Sequence, residues 1–150
     1  ERVVSDTGRQ RYEGCLDAIA SHGLEFDEEL DYRAVRFSYQ GGYDATKDLL
    51  AAGRKFTAMF AAADVMAIGA IRALRDAGLR VPEDVSVVGF DGLPLGSFLV
   101  PQLTTIGQSV HLMAKRSVEI LISCIERDTA ARHEVVPFTL HQRESTRKIG

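Results

Sequence analysis

The fold is decided by residues 56–108, FTAMFAAADVMAIGAIRALRDAGLRVPEDVSVVGFDGLPLGSFLVPQLTTIGQ. Phe56–Ala62 is an apolar run, typical of a strand that is buried on both faces of a parallel sheet. Asp64 follows where a helix N-cap is expected, ahead of apolar residues at helical spacing: Val65, Ile68, Ile71 and Leu74. Gly78 ends that predicted helix, and Val85–Phe90 is a second short apolar strand. This order predicts a βαβ unit with parallel strands.

The flanking segments continue the alternation of strands and helices. Upstream, we predict the end of a strand at residues 2–4, a helix over 9–22 that ends at Gly23, a strand over 35–39, a Gly41-Gly42 turn and a helix over 43–52. Downstream, we predict an irregular segment over 92–103, a strand over 104–106, a long amphipathic helix capped by Ser109, and a strand over 135–140. The expected fold is a three-layer α/β/α arrangement with a mainly parallel sheet.

Composition places the chain among ordinary globular domains. It has 150 residues, a net charge of −3, 45% hydrophobic residues and 26% charged residues. An acidic chain lacks the basic patch that binds phosphate backbones, so we expect that this chain does not bind DNA directly. No apolar run reaches the roughly 18–20 residues that span a membrane. We expect free thiols at Cys15 and Cys124, as in a reducing cytoplasm.

Candidate ligand contacts stand where strands end, because open α/β sheets bind ligands at the carboxyl ends of their strands. Arg11 offers several N–H donors, Asp91 offers two acceptor oxygens, and Tyr39 and Tyr43 offer aromatic rings. Each has a structural alternative. The alternative for Arg11 is a solvated helix residue, for Asp91 a turn cap and for Tyr43 a core residue. Asp64 fits a helix cap better than a ligand contact.

Catalytic signatures are poorly represented in the chain. The four histidines, His22, His111, His133 and His141, lack the spacing of metal ligands. The sequence contains no nucleophile elbow and no Gly-rich phosphate loop, and sequence alone shows no basic activator beside either cysteine. We therefore predict a binding module rather than an enzyme, with no cofactor and no metal.

The quoted stretch resembles the sensing domain of LacI/GalR-type bacterial repressors. The shared features are an Asp-capped helix, the run G-L-x-V-P-x-D-V-S-V-x-G-F-D and the run P-x-L-T-T-I. RQRYEGCLDAIASHGL (9–24) is similar to that family's R-x-x-G-F helix, and HQRESTR (141–147) is similar to its closing R-x-S-T. The likeness covers nearly the whole chain.

This resemblance implies a periplasmic-binding-protein-like type I fold, in which two subdomains flank an effector cleft. The chain would supply the C-terminal subdomain (about 1–106 and 132–150) and a crossover segment of the other subdomain (about 107–131). Because the chain begins at Glu1 without a methionine or a signal sequence, we expect it to be a piece of a longer cytoplasmic protein. The DNA-binding domain would lie outside it.

The resemblance also implies roles for single residues. Arg11 falls on the family's cleft arginine, Thr7 on a hydroxyl position near the ligand, and Asp91 on an aspartate that accepts from sugar hydroxyls. Tyr39 falls near an aromatic residue that stacks on the ligand. The family often has asparagine where this chain has Ala63, which suggests a ligand different from the common hexoses.

The implied assembly is a homodimer, with Ile68, Gly69 and Phe98 at the two-fold interface. Packing within one subunit is the alternative for Gly69. The implied function is the sensing of a small polar effector, such as a sugar, by a DNA-binding repressor. A periplasmic sugar-binding protein of a transporter is the alternative of the same fold. An upstream helix-turn-helix or an upstream signal peptide would distinguish the two.

Overall fold

A four-stranded sheet organises the computed structural model, which describes residues 6–53, 55–127, 130 and 132–148. The strands are β1 (Ala58–Phe60), β2 (Ser86–Asp91), β3 (Thr104–Gln108) and β4 (Phe138–His141). The helices are α1 (Asp6–Ser21), α2 (Glu28–Asp31), α3 (Tyr39–Ala51), α4 (Asp64–Asp76) and α5 (Val110–Arg127), with a 3-10 helix at Pro94–Phe98. The strand predicted at residues 2–4 lies outside the described residues.

The sheet has the order β1-β2-β3-β4. β2 pairs in parallel with both β1 and β3, and β4 pairs antiparallel with β3. The prediction of a mainly parallel sheet is therefore confirmed. Because parallel neighbours end at one edge, the register Asp91↔Gly107 places the carboxyl ends of β2 and β3 side by side.

The predicted strand at 35–39 and the predicted Gly41-Gly42 turn are both wrong. Ser38 caps α3 by accepting from the Gly41 N–H at 3.0 Å, so both glycines lie in the first turn of that helix. A Cβ on Gly42 would overlap the Met66 backbone of α4, and one on Gly69 would overlap the Tyr39 carbonyl of α3. The glycines therefore allow two helix backbones to approach closely, rather than turning the chain.

The core lies between α4 and the sheet. Ala67 and Leu74 of α4 are fully buried, together with Val87 of β2 and Leu103 ahead of β3. The C-terminal segment is fixed to this layer by Ser145, which is also fully buried. Its hydroxyl donates to the Val87 carbonyl at 2.6 Å and accepts from the Thr104 N–H at 2.8 Å. The tail thereby joins β2 to β3.

The predicted amphipathic helix is present as α5, but its apolar face has no cover from the described residues. Val118, Leu121 and Ile125 are more than half exposed, and so are Phe138 and Leu140 on β4.

Cys15 and Cys124 are free, as predicted, and are half-buried. In the part of the chain that the structure describes, no helix combines the length and the apolar character that crossing a membrane requires.

Candidate functional site

Asp91 is the last residue of β2, and its backbone adopts an unusual conformation. Its φ angle is 122°, and Gly92 follows with a φ of 75°. A side chain at such an angle is strained by about 1–3 kcal/mol, a cost that surrounding contacts must offset. Backbone strain of this kind is concentrated at ligand sites, where it directs a side chain that regular geometry would place elsewhere.

Arg11 reaches this carboxylate from α1. Its guanidinium donates to Asp91 Oδ1 at 3.1 Å and to the Ala62 carbonyl at 2.6 Å, and it stacks 4.0 Å from the centre of the Phe90 ring. Only 12% of its side chain is exposed, so it is not the solvated helix residue of the alternative interpretation. Arg9, two positions earlier, faces solvent and pairs instead with acidic residues of α1.

Gln108, which the sequence analysis missed, completes the group. Its amide donates to Asp91 Oδ1 at 3.0 Å from the end of β3. Both bonds to Asp91 therefore fall on one oxygen, and Oδ2 receives no hydrogen bond from the described residues. Because 31% of the Asp91 side chain is exposed, Oδ2 is an available acceptor for a ligand hydroxyl or N–H.

The electrostatics of Asp91 are set by two opposing effects. Burial raises the pKa of Asp91 above its ordinary value, and the Arg11 guanidinium beside it offsets part of that rise. Donors that reach Oδ2 would favour the ionised form, because a hydrogen bond to a carboxylate stabilises its charge. A ligand with hydroxyl or N–H groups is therefore complementary to this site.

The sequence predicted that the Asp64 side chain caps α4, and the structure contradicts this prediction. Ala63 is the N-cap and makes no side-chain cap bond, whereas Asp64 is the first helical residue. The Asp64 carboxylate is fully buried and accepts from the Thr105 hydroxyl at 2.5 Å and from the Leu93 N–H at 2.6 Å. It is bonded to the sheet and to the turn after Asp91 rather than to its own helix.

The structure does not bring the two remaining predicted ligand residues into the Asp91 group. Thr7 lies one helical turn before Arg11, on the same face of α1, and is exposed. Tyr39 begins α3 and is 50% exposed. Among the described residues, no hydrogen bond or ring contact joins Tyr39 to Arg11 or Asp91. Tyr43, the second candidate ring, donates to the Asp76 carboxylate at 3.1 Å.

The three predicted interface residues have different surroundings. Phe98 is 81% exposed, and Ile68 is half-buried on α4. Gly69 is buried against α3 of the same chain, which favours the alternative of packing within one subunit. It is required by packing inside the subunit, and the packing is between helices rather than between helix and sheet.

One cavity lies away from this site. It measures about 540 Å³ and is lined by Leu79, Val81 and Pro82 before β2, and by Val100 and Pro101. These residues precede the strands, at the opposite edge from Asp91. The described residues also contain no cluster of three or more acidic, histidine or cysteine side chains that could hold a metal ion.

Comparisons with known proteins show which family this chain belongs to. Residues 2–146 match the model of the periplasmic binding protein-like domain. The transcriptional regulator MalR of Clostridium butyricum is 37% identical over 146 residues, which are 95% of this chain and 43% of that protein. The chain therefore spans less than half the length of that relative.

Solved structures agree with the sequence comparison. A CelR–cellobiose complex superposes with a TM-score of 0.85 at 35% identity, over 92% of this chain and 42% of the other. A dimeric Lac repressor superposes with a TM-score of 0.88 at 32% identity, over 95% and 51%. The chain belongs to the periplasmic binding protein-like domain family, in the form found in LacI-type helix-turn-helix transcriptional regulators.

Proposed function

We propose that this chain is the C-terminal part of the effector-sensing and dimerisation domain of a LacI/GalR-type repressor. The observation that carries the proposal is the Asp91 carboxylate, held on one oxygen by Arg11 and Gln108 and open on the other. It lies at the carboxyl edge of a parallel sheet, where this class of fold binds ligands. The effector is a small polar molecule such as a sugar.

The ligand contacts that we propose are Thr7, Arg11, Tyr39 and Asp91. Asp91 accepts a ligand hydroxyl through Oδ2, while Arg11 is held against Phe90 and keeps the carboxylate in place. Thr7 extends the site along α1, and Tyr39 offers an exposed ring. The superposed CelR structure carries cellobiose, which supports a carbohydrate as the ligand class.

The domain division that we propose places about 1–106 and 132–150 in one subdomain and 107–131 in a crossover to the other. The exposed apolar face of α5 supports this division, because Val118, Leu121 and Ile125 need a cover that the described residues do not provide. The helix-turn-helix belongs to a part of the regulator outside this chain, which agrees with the acidic charge of −3.

Signalling through this domain follows from differential binding. An effector that contacts both subdomains favours one relative orientation, and it shifts the equilibrium only as far as its affinities for the two orientations differ. The dimer then presents its DNA-binding domains differently to an operator. This role places the protein in the cytoplasm and requires no enzyme activity. The named relatives are regulators, which favours this role over transport.

A thermal-shift panel of pentoses, hexoses, disaccharides, sugar acids and purines on the full-length regulator tests the proposal. A binder present at 100 times its Kd stabilises the protein by about 2.7 kcal/mol. We expect Asp91→Ala to abolish the shift, and Asp84→Ala, which removes a surface carboxylate paired with Arg80, to preserve it. A shift that survives Asp91→Ala would place the ligand elsewhere.

A further inference from the structure

The second buried carboxylate of this region, Asp64, has no role in the site described so far. It is fully buried at the first residue of α4, and its hydrogen bonds go to other elements rather than to the N–H groups of its own helix. Burying a charged group is costly unless hydrogen bonds compensate. Its two oxygens accept instead from Thr105 and from the Leu93 backbone.

Those two partners converge on the turn that follows Asp91. Leu93 N–H donates to Asp64 Oδ2 at 2.6 Å, and Gly92 N–H donates to Thr105 Oγ1 at 3.3 Å. Thr105 in turn donates to Asp64 Oδ1 at 2.5 Å. The first two N–H groups after Asp91 are thus held by one buried pair, at the point where Asp91 and Gly92 both have positive φ.

A glycine in the middle of β2 makes room for this pair. A Cβ on Gly89 would overlap Asp64 Oδ1. Glycine inside a strand costs about 0.5–1 kcal/mol relative to alanine, and here the space that it leaves is occupied by the carboxylate. The strand is therefore shaped around Asp64, which indicates that the position of this carboxylate matters.

We propose that Asp64 is a positioning residue for the effector site: with Thr105, it holds the turn 91–93 in the strained conformation that points the Asp91 carboxylate at Arg11 and Gln108. Without these bonds the turn relaxes toward ordinary φ values, and Oδ1 leaves its two donors. The inference rests on the proposed function in one respect, since it takes Asp91 as the ligand acceptor.

Hydrogen exchange followed by NMR on the full-length regulator, without ligand, tests whether Asp64 holds the turn 91–93. We expect Asp64→Ala to speed exchange at the Gly92 and Leu93 amides at least tenfold, while the Val87 amide, bonded to Ser145 in the core, changes much less. Thr46→Val is the matched control, because Thr46 is a buried hydroxyl bonded within α3. It should leave the ratio of turn to core exchange unchanged.

Two further variants keep the test decisive if Asp64→Ala does not fold. Asp64→Asn retains an acceptor for the Leu93 N–H and should keep most of the protection of the Leu93 amide. Thr105→Val removes the acceptor of the Gly92 N–H at similar volume and should expose that amide. Equal acceleration of turn and core amides in these variants would show that Asp64 serves stability alone, and would overturn the proposal.

Binding of cellobiose, measured by calorimetry, connects the turn to the ligand. We expect at least a tenfold loss of affinity in Asp64→Ala and less than a twofold change in Thr46→Val. Released turn amides with unchanged affinity would also overturn the proposal. Failure of the unmodified protein to bind cellobiose would count against that sugar as the effector, whereas the exchange experiment would still decide the role of Asp64.

Discussion

At the scale of single residues, Asp91 combines a strained backbone with a partly buried charge. Burial raises its pKa, so the folded chain keeps this proton to a higher pH than the unfolded chain does. The stability linked to that proton is present at low pH and is lost as the pH rises through the raised pKa. A ligand that donates to Oδ2 compensates the ionised form, which couples binding to the charge of this one group.

We predict that effector affinity falls as the pH is lowered from about 7 toward about 4, because protonation removes the acceptor that the ligand needs. The decline should begin at a higher pH than for an ordinary aspartate, since the pKa of Asp91 is raised. Isothermal titrations with the best ligand of the panel measure it. Asp91→Asn should bind weakly and show little pH dependence, and an unchanged pH profile in this variant would assign the titration to another group.

Sequence reasoning found Arg11 and Asp91 because both stand where a strand meets a helix or a turn, and that edge is predictable from the alternation of elements. Gln108 and Phe90 could not be found in this way. Their proximity to Asp91 and Arg11 depends on strand register and on how α1 lies over β2. The role of Asp64 was missed for a similar reason: its partners are 29 and 41 residues away.

At the scale of elements, the contact between α3 and α4 depends on glycines. Gly42 lies against the backbone of Met66, and Gly69 lies against that of Tyr39. The Gly41-Gly42 pair favours a turn when the sequence is considered alone, since glycine is the usual turn residue. Only the packed structure shows that a neighbouring helix occupies the space where a Cβ would be. The helix therefore starts four residues earlier than the sequence predicts.

We predict that Gly69→Ala lowers the free energy of unfolding by about 1–3 kcal/mol, the usual cost of inserting a methyl group into a closely packed contact. Gly14→Ala is the matched control, because Gly14 lies inside α1 with nothing near its missing Cβ. It should raise stability by up to about 1 kcal/mol through helix propensity alone. Urea denaturation measures both, and a neutral Gly69→Ala would mean that α3 and α4 separate easily.

At the scale of the whole molecule, two exposed apolar surfaces have different expected partners. We propose that the α5 surface, which includes the exposed Leu121 and Ile125, packs against the other subdomain of the same polypeptide. The second surface follows the site directly: the turn after Asp91 leads into the 3-10 helix Pro94–Phe98, where Leu95 and Phe98 are exposed. A ligand at Asp91 is therefore close in sequence to the surface that we expect to form the dimer.

We predict that Phe98→Glu converts the full-length regulator from a dimer to a monomer. Burying a phenylalanine contributes about 1.5–3 kcal/mol, and a two-fold interface loses that contribution twice. Glutamate adds two like charges that must be desolvated near the axis. Leu24→Glu is the control, since Leu24 is a 63% exposed leucine in the segment after α1 and is not part of the 3-10 helix. Sedimentation at several concentrations gives the dissociation constant, and a dimer that persists in Phe98→Glu would move the interface away from the 3-10 helix.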